Sequence, residues 1–267
     1  MTNPDHLIRP DAPVLYWRDG AIAHLRFNRP QVLNAIDLAT AQCFRTTCDR
    51  IADDRNIRAV VISAEGRAFM AGGDLAAMRA DPVTTARALI ESMHSGISVL
   101  ASLDAPVIAS VHGAVAGGGL GLLLGCDLAI AAEGTRFNLA YLNVGASSDC
   151  STSWGLPRLV GLRKAMEIAL LGGTFGAAEA LLLGIVNRVV PLEQLHQESE
   201  AMAGKLAHGP TRALGRLKRL LRDSAQRSLD EHLAAEAEAF LECAASRDFS
   251  EGVDAFIERR TPRFQGT

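Results

Sequence analysis

Three stretches of this chain hold residue types able to do chemistry. The first, Ser110 to Asp127, reads SVHGAVAGGGLGLLLGCD. An apolar β-type run (Val107, Ile108, Ala109, Val111) feeds three consecutive glycines, Gly117, Gly118 and Gly119, which open an apolar segment from Leu120 to Leu124. That order is strand, glycine turn, helix start. Glycines let a backbone come close to a ligand, and the first N–H groups of a helix lack partners inside it and carry the positive end of its dipole. The turn therefore suits an anion or oxyanion, and it equally suits close packing of a helix on a strand. The second stretch, Gly66 to Leu75 (GRAFMAGGDL), is another glycine turn after a buried strand. The third, Gly145 to Ser153 (GASSDCSTS), is polar, small and loop-like. Its one carboxylate, Asp149, can carry a proton or cap the helix that follows.

The elements around these stretches follow from periodicity and breakers. Val14 to Arg18 and Ala21 to Phe27 read as a β-hairpin closed at Asp19-Gly20. Asp37 can cap a helix running to about Asp53, with Leu38, Ala41, Phe44 and Cys48 on one side. Ala59 to Ser63 is a short apolar strand, and a helix is expected from about Val83 to Leu103. Strand, glycine turn and helix then recur at intervals of roughly 45 residues, which implies stacked β-β-α units of the α/β class. Asp127 to Ala131 and Arg136 to Asn138 are further strands. Arg163 to Leu171 and Ala177 to Leu183 are helices, the second closed by Gly184. Val189-Val190-Pro191 ends this first layer, and Glu193 to about Arg260 is nearly all helix, with a Ser228/Glu231 capping box ahead of Leu233, Ala237, Phe240 and Leu241.

Composition removes several classes of function. A chain of 267 residues, 48% hydrophobic, can bury a sizeable core. Net charge is −3, so no basic field recruits nucleic acid or an anionic membrane. The basic run Arg212, Arg216, Lys218, Arg219, Arg222 reads as a solvated helix face. The longest apolar runs are short and glycine-rich, which argues against a membrane span, and the opening MTNPDHLIRPDAP shows no secretory leader, so a cytoplasmic protein is expected. Five cysteines without CxxC spacing fit reduced thiols rather than disulfides or a metal site. His94 and His112 read as structural histidines, and Asp74 and Asp127 as carboxylates that satisfy loop N–H groups.

GRAFMAGGDL, PVIASVHGAVAGGGLGLLLGCDLAIAAEGTRF, LPRLVG and FIERRTPRF resemble, in order and spacing, the enoyl-CoA hydratase/isomerase (crotonase) superfamily over nearly the whole chain. The resemblance implies an α/β fold. A spiral of ββα units with the acyl-CoA site would span residues 1–195, and a helical trimerisation region residues 196–267. It also implies homotrimers or dimers of trimers acting on acyl-CoA thioesters, with no metal and no separate cofactor, coenzyme A being part of the substrate. Carried over by position, the oxyanion-hole donors are the N–H groups of Gly73 and Gly118. Two such donors stabilise the charge of a thioester enolate more than the ground state. The backbone of Ala71 would face the adenine and Arg67 the phosphates, while Phe256 and Arg259 match tail positions that reach a neighbouring subunit's CoA. An arginine there suits phosphate oxygens.

The acid/base residues depart from the hydratases of that family. One catalytic glutamate of those enzymes falls on Gly121 here, and the other, in an FxxPE motif, falls on Tyr141. Hydration needs a base for water and an acid for carbon, so the missing pair argues against it. The remaining carboxylate is Asp149, in a loop that resembles the PDxGGTW loop of the ring-epoxide (oxepin-forming) enoyl-CoA isomerase subgroup of the phenylacetate pathway. One carboxylate is sufficient to shift a double bond, and apolar neighbours such as Leu142 and Trp154 would strengthen it as a base if they line its pocket. Tyr141 is expected as a pocket wall whose hydroxyl can hold a substrate oxygen. An enoyl-CoA isomerase is therefore expected. The alternatives are a hydratase, a non-catalytic acyl-CoA-binding protein and, more remotely, a hydrolase or dehalogenase using the loop aspartate as nucleophile.

Overall fold

The computed structural model describes residues 10–267. The expectation of no leader at the start falls largely on residues 1–9, outside the described residues. Strands β1 (Val14–Asp19) and β2 (Ile22–Phe27) form the antiparallel hairpin, its turn at Gly20 and Ala21. Helix α1 (Leu38–Asp53) follows, capped as expected by Asp37, whose Oδ1 accepts the Thr40 N–H at 2.8 Å. Its buried face is Ala41, Phe44, Cys48 and Ile51, while Leu38, expected on that face, is exposed because it stands at the first helical position, beside the cap.

Strand β3 (Ala59–Ala64) leads through the first glycine turn to the single-turn helix α2 (Leu75–Met78) and the long α3 (Pro82–Ser102). Strands β4 (Val107–Val111) and β5 (Ala114–Ala116) lead through the second to α4 (Gly118–Gly125). Strands β6 (Leu128–Ala132) and β7 (Arg136–Asn138) follow, then the polar loop, α5 (Thr152–Val160) and α6 (Leu162–Leu171). The short strand β8 (Phe175–Gly176), α7 (Ala177–Leu182) and β9 (Arg188–Val190) close the layer. Four helices complete the chain: α8 (Leu192–Ala207), α9 (Thr211–Asp223), α10 (Leu229–Ala244) and α11 (Arg247–Ile257).

The strands form a six-stranded sheet, β1-β2-β3-β4-β6-β9, parallel beyond the hairpin, and a three-stranded sheet, β5-β7-β8. The central strands are continuous apolar runs because both their faces are covered. Phe27, Phe44, Phe69 and Ile62 fill one side, and the other packs on α8 through Ala203 and Ala207. The boundary drawn at residue 195 falls in the first turn of α8, a helix that belongs to the sheet packing.

The basic helix α9 corrects an expectation. It is not a solvated face. Lys218 Nζ lies 3.0 Å from Asp127 Oδ2, Arg222 lies 2.8 Å from Asp127 Oδ1, and Arg219 lies 2.8 Å from Asp104. Asp127 also accepts the Val107 N–H at 2.8 Å. Its place just beyond α4 offers a carboxylate that α9 can reach, and only these long-range partners turn the run inward. Among the described residues no helix is long and apolar enough to cross a membrane, and no group of three or more His, Cys, Asp or Glu could hold a metal. All five cysteines are free.

One buried titratable group makes stability depend on pH. His24 is 4% exposed, its ring stacked on Trp17 at 4.7 Å, and burial pushes it down to about 4. The unfolded chain takes the proton first, so this contribution is complete above pH 6.5 and is lost as pH falls toward 4. Urea unfolding at pH 7 and pH 4.5 should show a loss of roughly 2 to 3 kcal/mol from this group, absent in His24→Gln. Equal losses in both proteins would remove His24 as the cause.

Candidate active site

The two glycine turns meet. Met70 pairs with Val115 and Ile36 with Gly73 in isolated parallel bridges, which draw the first turn between the α1 entry and the second turn. Gly72 has φ +101° and Gly117 φ +50°, values that favour glycine. A side chain on Gly117 would start 3.4 Å from Gly72 Cα, so the two turns lie one side-chain carbon apart. Arg29 holds this corner together: its guanidinium donates to Ala35 O at 2.6 Å and reaches Asp37 at 3.0 Å and Asp74 at 3.5 Å. Asp74 caps α2 through the Ala77 N–H, so its expected structural role holds.

The bridge at Ile36 decides which N–H groups stay free. Ile36 donates to Gly72 O at 2.8 Å and accepts from Asp74 N–H at 2.9 Å, which leaves the N–H of Gly73 between them without a partner among the described residues. Gly118, first residue of α4, likewise has no acceptor inside its helix. Both glycines line one cavity of about 260 Å³, and its apolar walls are Ile36, Leu75, Met78, Leu89, Met93 and Val144.

Asp149 lines the same cavity, with Ala71, Tyr141 and Cys150. Its side chain does not cap α5: that helix begins at Thr152 after Ser151, without a side-chain cap, and Asp149 supplies only its backbone carbonyl, 3.0 Å from the Thr152 nitrogen. The carboxylate instead accepts the Tyr141 hydroxyl at 2.5 Å. Its Oδ1 lies 4.0 Å from where a Gly118 side chain would begin, which puts it beside the oxyanion position. Burial first, and the Asp149 carboxylate second, push both the Tyr141 hydroxyl and the Cys150 thiol up, so both hold their protons at neutral pH. Asp149 is thus the one carboxylate lining the cavity.

Several expected residues lie elsewhere. Leu142 and Trp154 do not line this cavity; Leu142 faces a neighbouring one and both are largely exposed. Arg67 is exposed outside it, although Ala71 sits in its wall. Phe256, 85% exposed, borders a separate groove between α9 and α11, and Arg259 follows it on the surface. A single chain therefore gathers Gly73, Gly118, Ala71, Tyr141 and Asp149, but not Arg67, Phe256 or Arg259.

Three features escaped the sequence. His94 of α3 accepts the Cys150 N–H at its Nε2 (3.0 Å), which requires the ring proton on Nδ1 and steadies the aspartate loop. His112, by contrast, lies on Gly66 O at 2.8 Å, as a structural histidine would. Gly121, where related hydratases carry a glutamate, is closed off: a side chain there would start 2.4 Å from Cys150 O and 2.6 Å from Thr152 Oγ1. Finally, Leu89 and Met93 wall the cavity from α3, a pair that their four-residue spacing on one helix face could have disclosed.

Comparison with known proteins places the chain in a family. The enoyl-CoA hydratase/isomerase family model matches residues 18–267. The 1,2-epoxyphenylacetyl-CoA isomerase of Escherichia coli is 35% identical over 95% of this chain and 98% of its own. A 4-chlorobenzoyl coenzyme A dehalogenase of an Arthrobacter species is 32% identical over 96% and 92%. The crystal structure of an enoyl-CoA hydratase from Mycobacterium smegmatis superposes with a TM-score of 0.88 at 35% identity, covering 94% of this chain and 98% of that one. The chain, with its mixed α/β crotonase fold, belongs to the enoyl-CoA hydratase/isomerase family.

Proposed function

We propose that the chain is an enoyl-CoA isomerase that shifts a carbon–carbon double bond through a thioester enolate. The observation that supports it most is the pairing, in one cavity, of two free N–H groups with a single carboxylate. With a 3-enoyl thioester, the carbonyl oxygen sits between the N–H groups of Gly73 and Gly118. Asp149 takes a proton from C2, and that C–H electron pair enters the C1–C2 bond while charge moves to the oxygen. The dienolate then collapses: the oxygen's charge returns, the double bond forms between C2 and C3, and the C3–C4 electrons take the same proton from Asp149 at C4. Atoms and charge balance with one acid/base group, as positioned proton transfer allows.

Hydration would need a second group, and both places for it are filled. The Gly121 position is packed by the Cys150–Thr152 segment, and Tyr141 holds its proton. The relative named as a 1,2-epoxyphenylacetyl-CoA isomerase fits the isomerase reading. Hydrolysis through an attacking Asp149, suggested by the relative named as a dehalogenase, finds no second base among the cavity's side chains.

The substrate's coenzyme A and the assembly belong to the same proposal. Phe256 and Arg259 meet a CoA only if it belongs to a neighbouring copy. The helices that carry and precede them expose Leu217, Leu221, Leu233, Phe240 and Leu241, at 51% or more. Apolar surface on this scale marks an interaction site. A homotrimer, or a dimer of trimers, is the expected assembly, and sedimentation velocity should return a mass of three or six chains; a monomer would overturn this part.

Purified protein given a 3-enoyl-CoA should form the conjugated 2-enoyl thioester, followed by its ultraviolet absorbance. Asp149→Asn should lower kcat by about 10² to 10⁴ while still binding acyl-CoA. If the unsubstituted protein produces no conjugation while acyl-CoA still raises its melting temperature, the proton-carrier reading falls.

A further inference from the structure

Tyr141, expected as a pocket wall whose hydroxyl can hold a substrate oxygen, has that hydroxyl already committed. It lies 2.5 Å from Asp149 Oδ1, with the Asp149 carbonyl at 3.4 Å and Thr152 Oγ1 at 3.5 Å as more distant neighbours. A separation of 2.5 Å belongs to the short, charge-assisted O–H···O⁻ class. The Cys150 thiol is the other side chain that bonds the carboxylate, and Oδ2 is not among the sealed, unpartnered polar atoms of the described residues.

The backbone that aims this hydroxyl is itself braced. Tyr141 opens a one-turn helix, Tyr141–Val144, entered through Ala140 at φ +60°, a left-handed conformation unusual for alanine. Asn138 holds it there: its Oδ1 accepts the Ala140 N–H at 2.6 Å, and its Nδ2 donates to Thr174 Oγ1 at 2.8 Å. The other wall is braced by His94, on the N–H of Cys150 next to the aspartate. Strain kept in place by surrounding bonds is found where geometry matters to chemistry.

We propose that Tyr141 is a positioning residue for the proton carrier: its hydroxyl fixes Asp149 Oδ1 and leaves Oδ2 to take the proton and return it. The role rests on the isomerase reading and extends it. While Asp149 is ionised the hydroxyl bond is strong; once Oδ2 carries the proton, the bond to Oδ1 weakens. The bond therefore favours return of the proton to C4 over a prolonged stay on the carboxyl group. Tyr141 from the loop, Cys150 beside the aspartate and His94 from α3 are the titratable groups facing this segment, and α4 contributes none.

Tyr141→Phe keeps the ring and removes the bond. With a 3-enoyl-CoA, kcat should fall at least tenfold with KM changed less than threefold, and in D2O the fraction of deuterium entering at C4 should rise. The short Tyr141–Asp149 bond should give a far-downfield ¹H NMR signal in the free protein, absent from Tyr141→Phe. An unchanged kcat and an unchanged deuterium fraction in a variant of normal melting temperature would overturn the role. If the unsubstituted chain shows no conjugation, the isomerase reading falls, and the downfield signal still decides whether Tyr141 holds the carboxylate.

Discussion

Everything in the site depends on two glycine turns that approach within one side-chain carbon of each other. A first side-chain carbon on Gly117 would meet Gly72 Cα at 3.4 Å, and the residues that follow, Gly73 and Gly118, line one cavity. The rest of the molecule maintains the approach. Parallel strands β3 and β4 deliver the turns side by side, the Ile36 bridge uses the hydrogen-bonding groups on either side of Gly73, and Arg29 clamps the caps of α1 and α2 at that corner. In the proposed reaction, preorganised donors of this kind would need no rearrangement as charge develops, and losing one typically costs about 10² to 10³ in rate.

Charge is distributed with the same economy. The cavity is lined by one carboxylate and no cationic side chain, and the other titratable groups in its wall, Tyr141 and Cys150, hold their protons at neutral pH. Ion pairs are placed where they tether elements instead. Asp127, beyond the end of α4, is gripped by Lys218 and Arg222, and Arg222 also donates to Gly125 O at 2.9 Å. The partners are largely shielded from water, and burial holds the Lys218 amine below its usual range, so breaking the cluster would leave charge stranded. The C-terminal helices are thereby fastened to the helix whose first N–H belongs to the site.

How much of this was legible in the sequence divides along a physical line. Glycine runs after apolar strands announce themselves, because backbone conformation is encoded locally; the two turns were therefore readable, while the choice of Gly73 and Gly118 within them came from the family resemblance. Asp149 was readable as the one carboxylate in a polar loop, but a helix cap and the proposed proton carrier look alike until the chain is folded. The partners of Tyr141, His94 and Lys218 were not readable, since they sit 8, 56 and 91 positions away and depend on side-chain geometry. The basic run on α9 shows the limit most clearly: composition suggested solvent, and tertiary contact placed it on carboxylates. Phe256 and Arg259 remain beyond any single chain's geometry.

The packing at Gly121 has a consequence for how such a protein could diverge. The carbonyl of Cys150 and the hydroxyl of Thr152 occupy the volume that a longer residue would need. The helix position and the loop are thus sterically coupled: a side chain at 121 cannot appear without the loop giving way. A lineage passing between one-carboxylate and two-carboxylate chemistry on this scaffold must remodel the 149–152 loop before, or together with, residue 121. The order of such substitutions is constrained by contact distance at Gly121.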